Sequence, residues 1–366
     1  MSTIAASAFA SALVALVALV PSARAQTGDF YKGKQISLVI NYTAGGPTDT
    51  EARLLARHLP KHISGAPSIV VRNMGGAGGM IGVNWLGQVA PNDGMTLGYM
   101  TGVVGASAHS IPELQVDSSK FSFIAGVEGI SVYYIRSDVG GGMKQPDDIM
   151  RQSNFWIGGL TPDSDKDLRL RAELDLLGLK YRYLSGYAGA AEARLALERG
   201  EIQMTVESMP TYRLSIEPSL VKTGIAIPVW YDTTKAQSGA PHPDAAGISA
   251  LPFQSFYRKV KGAPHEDDEL WKSLILLNEI GANFQRTIHF PPGAPQLAID
   301  IMRKAFDELV EDEDYKRDAV ATIKFVPRFS RGPEVERSFR LLLRPDPQIK
   351  AFLRDYIEEG KAMVGK

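Results

Sequence analysis

The chain contains no cysteine among its 366 residues. That absence excludes thiol catalysis, cysteine-ligated zinc, a disulfide scaffold and a lipid-acceptor thiol. An excess of one charge is missing too: 40 Lys and Arg against 41 Asp and Glu leave a formal net charge of -1. Bulk electrostatics therefore recruit neither nucleic acid nor an anionic membrane. No segment reaches the ~20 consecutive apolar residues of a spanning helix; the longest run, Ala12 to Val20, is too short. Nucleotide signatures are also lacking. In RNMGGAGGMIG, from Arg72 to Gly82, counting from Gly76 and Gly78 puts the third position of G-x-G-x-x-G on Ile81. The chain has no G-K-[ST], G-x-S-x-G or H-E-x-x-H. Among the 6 histidines only His58 and His62 share helical i, i+4 spacing, and Pro60 stands between them. They are expected to be solvated, with no metal bound.

What is present is an ordinary globular composition, 44% hydrophobic and 22% charged with 35 Gly and 22 Pro, and a length that suits two domains at roughly 100–200 residues each. Residues 1–25 read as an export signal. An apolar run is followed by Pro21 and an Ala23-Arg24-Ala25 cleavage site, although no Lys or Arg precedes the run.

Ile36 to Tyr42 (ISLVINY) is a β-branched run ending in a Thr-Ala-Gly-Gly-Pro turn, after which Ala52, Leu55, Ala56 and Leu59 recur with helical spacing. The same unit then repeats as Ser68–Val71, the glycine turn Asn73–Gly79, and a helix expected to bury Ile81, Trp85 and Val89. Met95–Met100 is a third strand. Strands alternating with helices of this length predict an α/β fold with parallel sheets wound by helices. From Val132 the alternation begins again: VYYIR, a helix around Gln145–Arg151, FWIGG, a helix over Asp165–Leu177, YRYL, a helix over Ala188–Arg199, and IQMTV. After Ile225–Trp230, the Pro-, Gly-, Ala- and Ser-rich stretch Thr233–Pro264 reads as a long surface connection. Helices are predicted over Asp268–Ile280, Pro295–Val310 and Asp346–Met363. The acidic runs Glu266–Glu269 and Glu311–Asp314 suit helix starts or exposed faces.

The stretch NYTAGGPTDTEARLLARHL, from Asn41 to Leu59, admits two readings. In one, Thr48 and Glu51 form a T-x-x-E capping box and Asp49, at the first helical position, complements the helix dipole. In the other, Gly45 and Gly46 leave the backbone bare before a helix start, where an anion reaches unpaired N–H groups. Two such turns at the carboxyl ends of neighbouring strands form the crevice where open α/β sheets hold ligands. No Lys or Arg lies between Asn41 and Asp49, so amides and helix ends are expected to carry recognition, which suits a carboxylate better than a phosphate dianion.

These motifs resemble the periplasmic receptors of tripartite tricarboxylate transporters, the Bug solute-binding proteins. YKGKQISLVINYTAGGPTDTEARLLARHL is similar to the family's strand, P-G-G-x-x-D turn and helix. VVRNMGGAGGMIGVNWLGQVAPNDGMTLGYMTG is similar to its N-x-P-G-A-G-G-x-x-G loop and P-D-G-Y-T-L strand. YAGAAEARLALERG with IQMTVESMP, and PPGAPQLAIDIMRKAFDELVEDEDY, match later blocks in order. Ala44 and Gly75 stand where the family has prolines, and Pro47 where it often has glycine.

The resemblance implies a type II-like binding protein of two α/β domains, residues 26–126 with 228–366 and residues 127–227, closing on a ligand cleft while the chain crosses the hinge twice. It implies a ligand carboxylate held by Tyr42, Thr43, Ala44, Gly45, Gly46, Thr48 and Asp49, by Gly76, Ala77, Gly78 and Gly79, and by Thr101. On the second domain it points to Gly159, Thr161, Ser164, Tyr187, Glu207 and Ser208. Against these stand packing for Tyr187, a helix cap for Ser164 and a solvated acid for Glu207. An acid in the cleft would favour a ligand with an amine or hydroxyl donor. The expected protein is a monomeric periplasmic receptor without cofactor that delivers a small organic carboxylate to membrane transporter subunits. The alternatives are an exported enzyme using Asp49 or Glu207 as general base, and the input module of a membrane sensor.

Overall fold

The computed structural model describes residues 30–109, 111–233, 241–343 and 346–364, so the expected export signal lies outside the described residues. In chain order the strands are β1 (Gln35–Ile40), β2 (Ser68–Asn73), β3 (Thr96–Thr101), β4 (Ser122–Glu128), β5 (Ser131–Arg136), β6 (Phe155–Gly158), β7 (Tyr181–Leu184), β8 (Met204–Ser208), β9 (Ala226–Tyr231), β10 (Leu251–Pro252), β11 (Arg286–Phe290) and β12 (Arg328–Arg331). The helices are α1 (Pro47–His58), α2 (Met80–Gln88), α3 (Val103–His109), α4 (Asp165–Leu177), α5 (Ala190–Glu198), α6 (Met209–Thr211, running into a π-helix over Tyr212–Val221), α7 (Phe253–Lys261), α8 (Glu269–Asn283), α9 (Gln296–Leu309), α10 (Glu313–Ile323), α11 (Gly332–Leu342) and α12 (Pro347–Met363).

The strands form two six-stranded sheets, ordered β12-β4-β11-β3-β1-β2 and β10-β9-β5-β8-β6-β7. β1, β2 and β3 of the first sheet, and β6, β7 and β8 of the second, run parallel, as their intervening helices require. Both sheets are nevertheless mixed. β11 runs antiparallel to β3 and β4, and β5 antiparallel to β8 and β9. The chain passes from one sheet to the other at Glu128–Ser131 and returns between α8 and β11. α12 then goes back to the second sheet, where Ile349, Leu353, Tyr356 and Ile357 join the core with Trp271, Leu274 and Leu277 of α8.

Several local expectations change. The Thr233–Pro264 stretch is no plain surface connection: β10 pairs with β9, and α7 buries Phe253, Phe256 and Tyr257 at i, i+3, i+4 spacing. In α2 the buried face is Met80, Val83 and Leu86, while Ile81 and Val89 are 51% and 65% exposed. The cause is Gly82, whose missing side chain lets the helix lie on the β1 end. A Cβ there would sit 2.8 Å from the Met74 carbonyl, so backbone contact chooses the face over apolar count. His58 and His62 are not solvated either; their Nε2 atoms lie 2.8 Å from Asp318 and 2.8 Å from Asp312 respectively, next to α10. The acidic runs do start helices, through the caps Asp268 on α8 and Asp312 on α10. Among the described residues no helix is long and apolar enough to cross a membrane, and no cluster of His, Asp or Glu is arranged to hold a metal.

Candidate functional site

The turns after β1 and β2 lie side by side. α1 begins at Pro47 with Gly46 as its cap residue, because proline fits the first helical position, where no N–H is needed. The start is therefore two residues earlier than T-x-x-E suggests, and the capping box does not form. Thr48 instead places its hydroxyl 3.1 Å from that of Thr101, and Glu51 accepts from the Tyr99 hydroxyl at 2.6 Å. Asp49 occupies the third helical position rather than the first. Its carboxylate reaches back to the Gly45 amide at 2.9 Å and accepts from Asn73 at 3.0 Å and Arg53 at 3.0 Å. Burial pushes the Asp49 pKa up, but the bonds from Arg53, Gly45 and Asn73 outweigh it and leave it below the usual carboxylate range.

The second turn is bent by left-handed backbone at Gly76, Ala77, Gly78 and Gly79, with φ of 121°, 48°, 61° and 95°. Gly79 has no room for a side chain: a Cβ would lie 2.5 Å from the Asn41 amide nitrogen. Asn41 is fully buried and clamps Thr101, donating to its carbonyl at 2.8 Å and accepting from its amide at 2.9 Å. Tyr42 ties the turns together through its hydroxyl on the Gly78 carbonyl at 3.0 Å. Thr43, Ala44, Gly45, Gly76, Ala77 and Gly78 stay exposed, and α1 leaves its first amides without intrahelical acceptors. One wall is thus a rim of backbone donors.

The facing wall belongs to the second sheet. Ser164 caps α4, with its hydroxyl accepting from the Asp167 amide at 3.3 Å and donating to the Asp167 carboxylate at 2.8 Å. Asp167 also accepts from Tyr183 at 2.6 Å, and burial pushes its pKa up to about 6 against these bonds. Gly159 is bare for that carboxylate, which an added Cβ would strike. Glu207 sits within β8, 1% exposed, and accepts from Lys166 at 3.1 Å and the Ser208 amide at 3.0 Å. The walls meet where Gly105 of α3 abuts Asp165 of α4. Across that contact Asp165 and Asp167 join burial in pushing the Tyr42 pKa up to about 12, opposed by Arg286.

No family model matches the chain. Among curated proteins, a UPF0065 protein from the TAR-I ttuE-ttuC' intergenic region of Agrobacterium vitis is 36% identical over 84 residues, 23% of this chain and 24% of that protein. BugT of Bordetella pertussis is 41% identical over 71 residues, 19% of this chain and 21% of that protein. The chain therefore spans about a quarter of the length of these relatives. In fold, the periplasmic binding protein BugD superposes with a TM-score of 0.63 over 89% of this chain and 98% of its own, at 15% identity. MatC of Rhodopseudomonas palustris with bound malate gives 0.61 over 88% and 99%, at 18% identity. Another R. palustris protein, solved with adipate, gives 0.61 over 90% and 98%, at 16% identity. The chain thus shares the two-sheet fold of periplasmic binding proteins and, over about a quarter of its length, is similar in sequence to Bug and UPF0065 proteins.

In this chain the structure gathers Tyr42, Thr43, Ala44, Gly45, Gly46, Thr48, Asp49, Gly76, Ala77, Gly78, Gly79 and Thr101 around the paired turns of the first sheet. Gly159, Ser164, Glu207 and Ser208 collect at the α4 and β8 ends. Thr161 is exposed just before the cap, its carbonyl accepting from Ser164 at 3.0 Å. Tyr187 stands apart: like Trp156 and Leu184 it packs against the core around Val132, Tyr134 and Ala193, and the charges acting on its hydroxyl are Glu201 and Arg199 beyond α5. Glu207 is no solvated acid, since Lys166 and Ser208 already occupy it.

Sequence reasoning missed a cation. Arg286, 2% exposed at the start of β11, places Nε 3.3 Å from the Thr48 hydroxyl and Nη1 3.3 Å from Glu51. The expectation of a site without nearby cationic side chains is thereby corrected, with Arg53 adding a second guanidinium at Asp49. Thr48 and Arg286 are 238 residues apart, so no local pattern could have joined them. Lys166 and Asn41 were missed for the same reason.

Proposed function

We propose that this protein is a periplasmic receptor of the Bug type that takes a small organic carboxylate between the two glycine turns and the α4 wall, and delivers it to membrane subunits of a tripartite tricarboxylate transporter. The observation that carries this reading is the pair of neighbouring turns held open by Asn41, Asp49 and Tyr42, with exposed backbone donors before α1 and α2. Relatives of the same fold solved with malate and adipate support it. In this reading the protein works as a monomer without cofactor, its two domains following residues 26–126 with 228–366 and residues 127–227. Arg286 stands behind the amide rim, its charge balanced by Glu51.

The exported-enzyme reading needs a poised base. Asp49 already accepts three hydrogen bonds and Glu207 is committed to Lys166 and Ser208, which leaves neither free to take a proton. A sensor would use the same site and differ only in its membrane partner. The test is native mass spectrometry of copurifying small molecules, followed by a thermal-shift screen of mono- and dicarboxylates beside their primary amides. Carboxylate hits that vanish on amidation are expected, because an amide nitrogen brings donors to a rim of donors. Stabilisation by sugars, phosphates or the amides, with no carboxylate active, would sink the proposal.

A further inference from the structure

We infer that Lys166 is the specificity-determining residue of the second wall, selecting ligands that carry a second carboxylate at the end away from the glycine turns. This rests on the carboxylate-receptor reading above. Lys166 lies in the first turn of α4, whose cap region forms the wall. Its ammonium is 3.1 Å from Glu207, and its side chain is 24% exposed against 1% for the acid.

An ammonium carries three donors. Glu207 takes one, and among the described residues no other acceptor is recorded for Lys166. Glu207 is meanwhile held from a second side by the Ser208 amide, so it acts as the holder of the lysine and not as a reader of ligand. Of the other charges near this end, Asp167 and Arg169 are committed on the side of the second sheet and Asp165 sits at the contact between the walls. Asp167 points inward to Tyr183 and Ser164, Asp165 abuts Gly105, and Arg169 pairs with Asp232.

The first wall ends in backbone donors and the second in ammonium donors. A ligand with acceptors at both ends satisfies both walls. A monocarboxylate of the same length sets an alkyl end against Lys166 and strips its water without replacement, which costs affinity. The expectation that Glu207 calls for a donor-bearing ligand is thereby reversed.

The test is calorimetric titration of the purified protein with succinate, glutarate and adipate, each beside butyrate, pentanoate or hexanoate of equal length. The best dicarboxylate should bind at least about tenfold more tightly than its partner, the size of a charge-assisted hydrogen bond. Lys166→Gln should bring that ratio close to one, and Lys166→Arg should preserve it. Because Lys166→Gln strands a buried acid, the double variant Lys166→Gln with Glu207→Gln provides a folded comparison and should also give a ratio close to one. A ratio that survives in the double variant, or a wild-type ratio of one, overturns the role of Lys166 while the carboxylate reading stands. Binding of no acid from either series overturns both.

Discussion

On the first sheet, the proposed site is built from backbone: left-handed glycines at 45, 76, 78 and 79 and the free start of α1. On the second it is built from side chains: Ser164 capping α4, Asp167 buried beneath it and Lys166 paired with Glu207. The backbone wall is tied by a short-range bond, Asp49 to Gly45, four residues apart, together with longer-range ones such as Asn41 to Thr101. The side-chain wall depends on a buried charge network along α4, where Asp167, Arg169, Arg171 and Glu173 are all at most 2% exposed. In the proposed receptor a rim of amides takes the terminal carboxylate and side chains discriminate at the other end.

The largest expected effect breaks the second wall at its root. Arg169 of α4 is paired with Asp232, which also accepts from the Ser131 amide at 2.6 Å where the chain enters β5. Asp232→Ala leaves a buried guanidinium uncompensated and should cost about 3–5 kcal/mol in denaturant unfolding. Joining it with Arg169→Met should recover much of that loss. A single-variant loss below about 1 kcal/mol would show that the pair is not what anchors α4.

A pH profile sharpens the contrast. Glu173 accepts from the Trp230 indole at 2.6 Å, and burial pushes its pKa up to about 8. Folded protein then holds a proton that the unfolded chain releases above its ordinary pKa near 4.5. Stability from this group is complete at low pH and falls as pH rises toward 8, by a few kcal/mol in order of magnitude. On the first sheet His289, packed at a tilt against Phe121 and Phe123, behaves in the opposite sense. Burial holds its pKa down at about 3, so its contribution is lost as pH falls below the ordinary histidine value of 6.5. Between pH 6.5 and 8 the acid alone should act, and Glu173→Gln should flatten the thermal-melting profile there. A slope that persists in the variant would assign it to other groups.

The backbone wall is probed by Gly46→Glu and Gly78→Asp. Space exists at both positions, with nothing within 4 Å of a Cβ at Gly78 and only the Thr43 carbonyl at 3.8 Å from one at Gly46; aspartate tolerates the left-handed φ of 61° at Gly78. The fold should survive, while the added carboxylate occupies the anion position and weakens ligand by the ~1.5–3 kcal/mol of a charged hydrogen bond. Unchanged affinity in both variants would make these turns purely structural.

The smallest effect is Ser164→Ala. Loss of the α4 cap should cost about 1 kcal/mol in thermal unfolding, and more only if the Ser164 bond to Asp167 is coupled to the buried network.

Both turns were legible from residue type alone. Glycine runs after β-branched strands report left-handed backbone because φ is a local property. The same locality explains α4, whose span Asp165–Leu177 is the predicted one, since cap, period and stop are all written within one segment. Where two local signals compete, the residues alone do not decide. Pro47 displaced the T-x-x-E reading of Thr48 and Glu51, and the backbone contact at Gly82 overruled the apolar count that had turned Ile81 and Val89 inward.

By itself, then, the sequence determined the alternation of strands and helices, the two bare turns and the start of α4, since each depends on chemistry within a few residues. Tertiary structure decided the antiparallel partners β11 and β12, the burial of α7 and the return of α12. It also decided which charges meet: Arg286 with Thr48 and Glu51, Lys166 with Glu207, and Arg169 with Asp232. The physical reason is that an ion pair's energy depends on distance and burial, and these exist only after the chain has closed loops of 41 residues for Lys166 and Glu207 and 238 for Arg286 and Thr48.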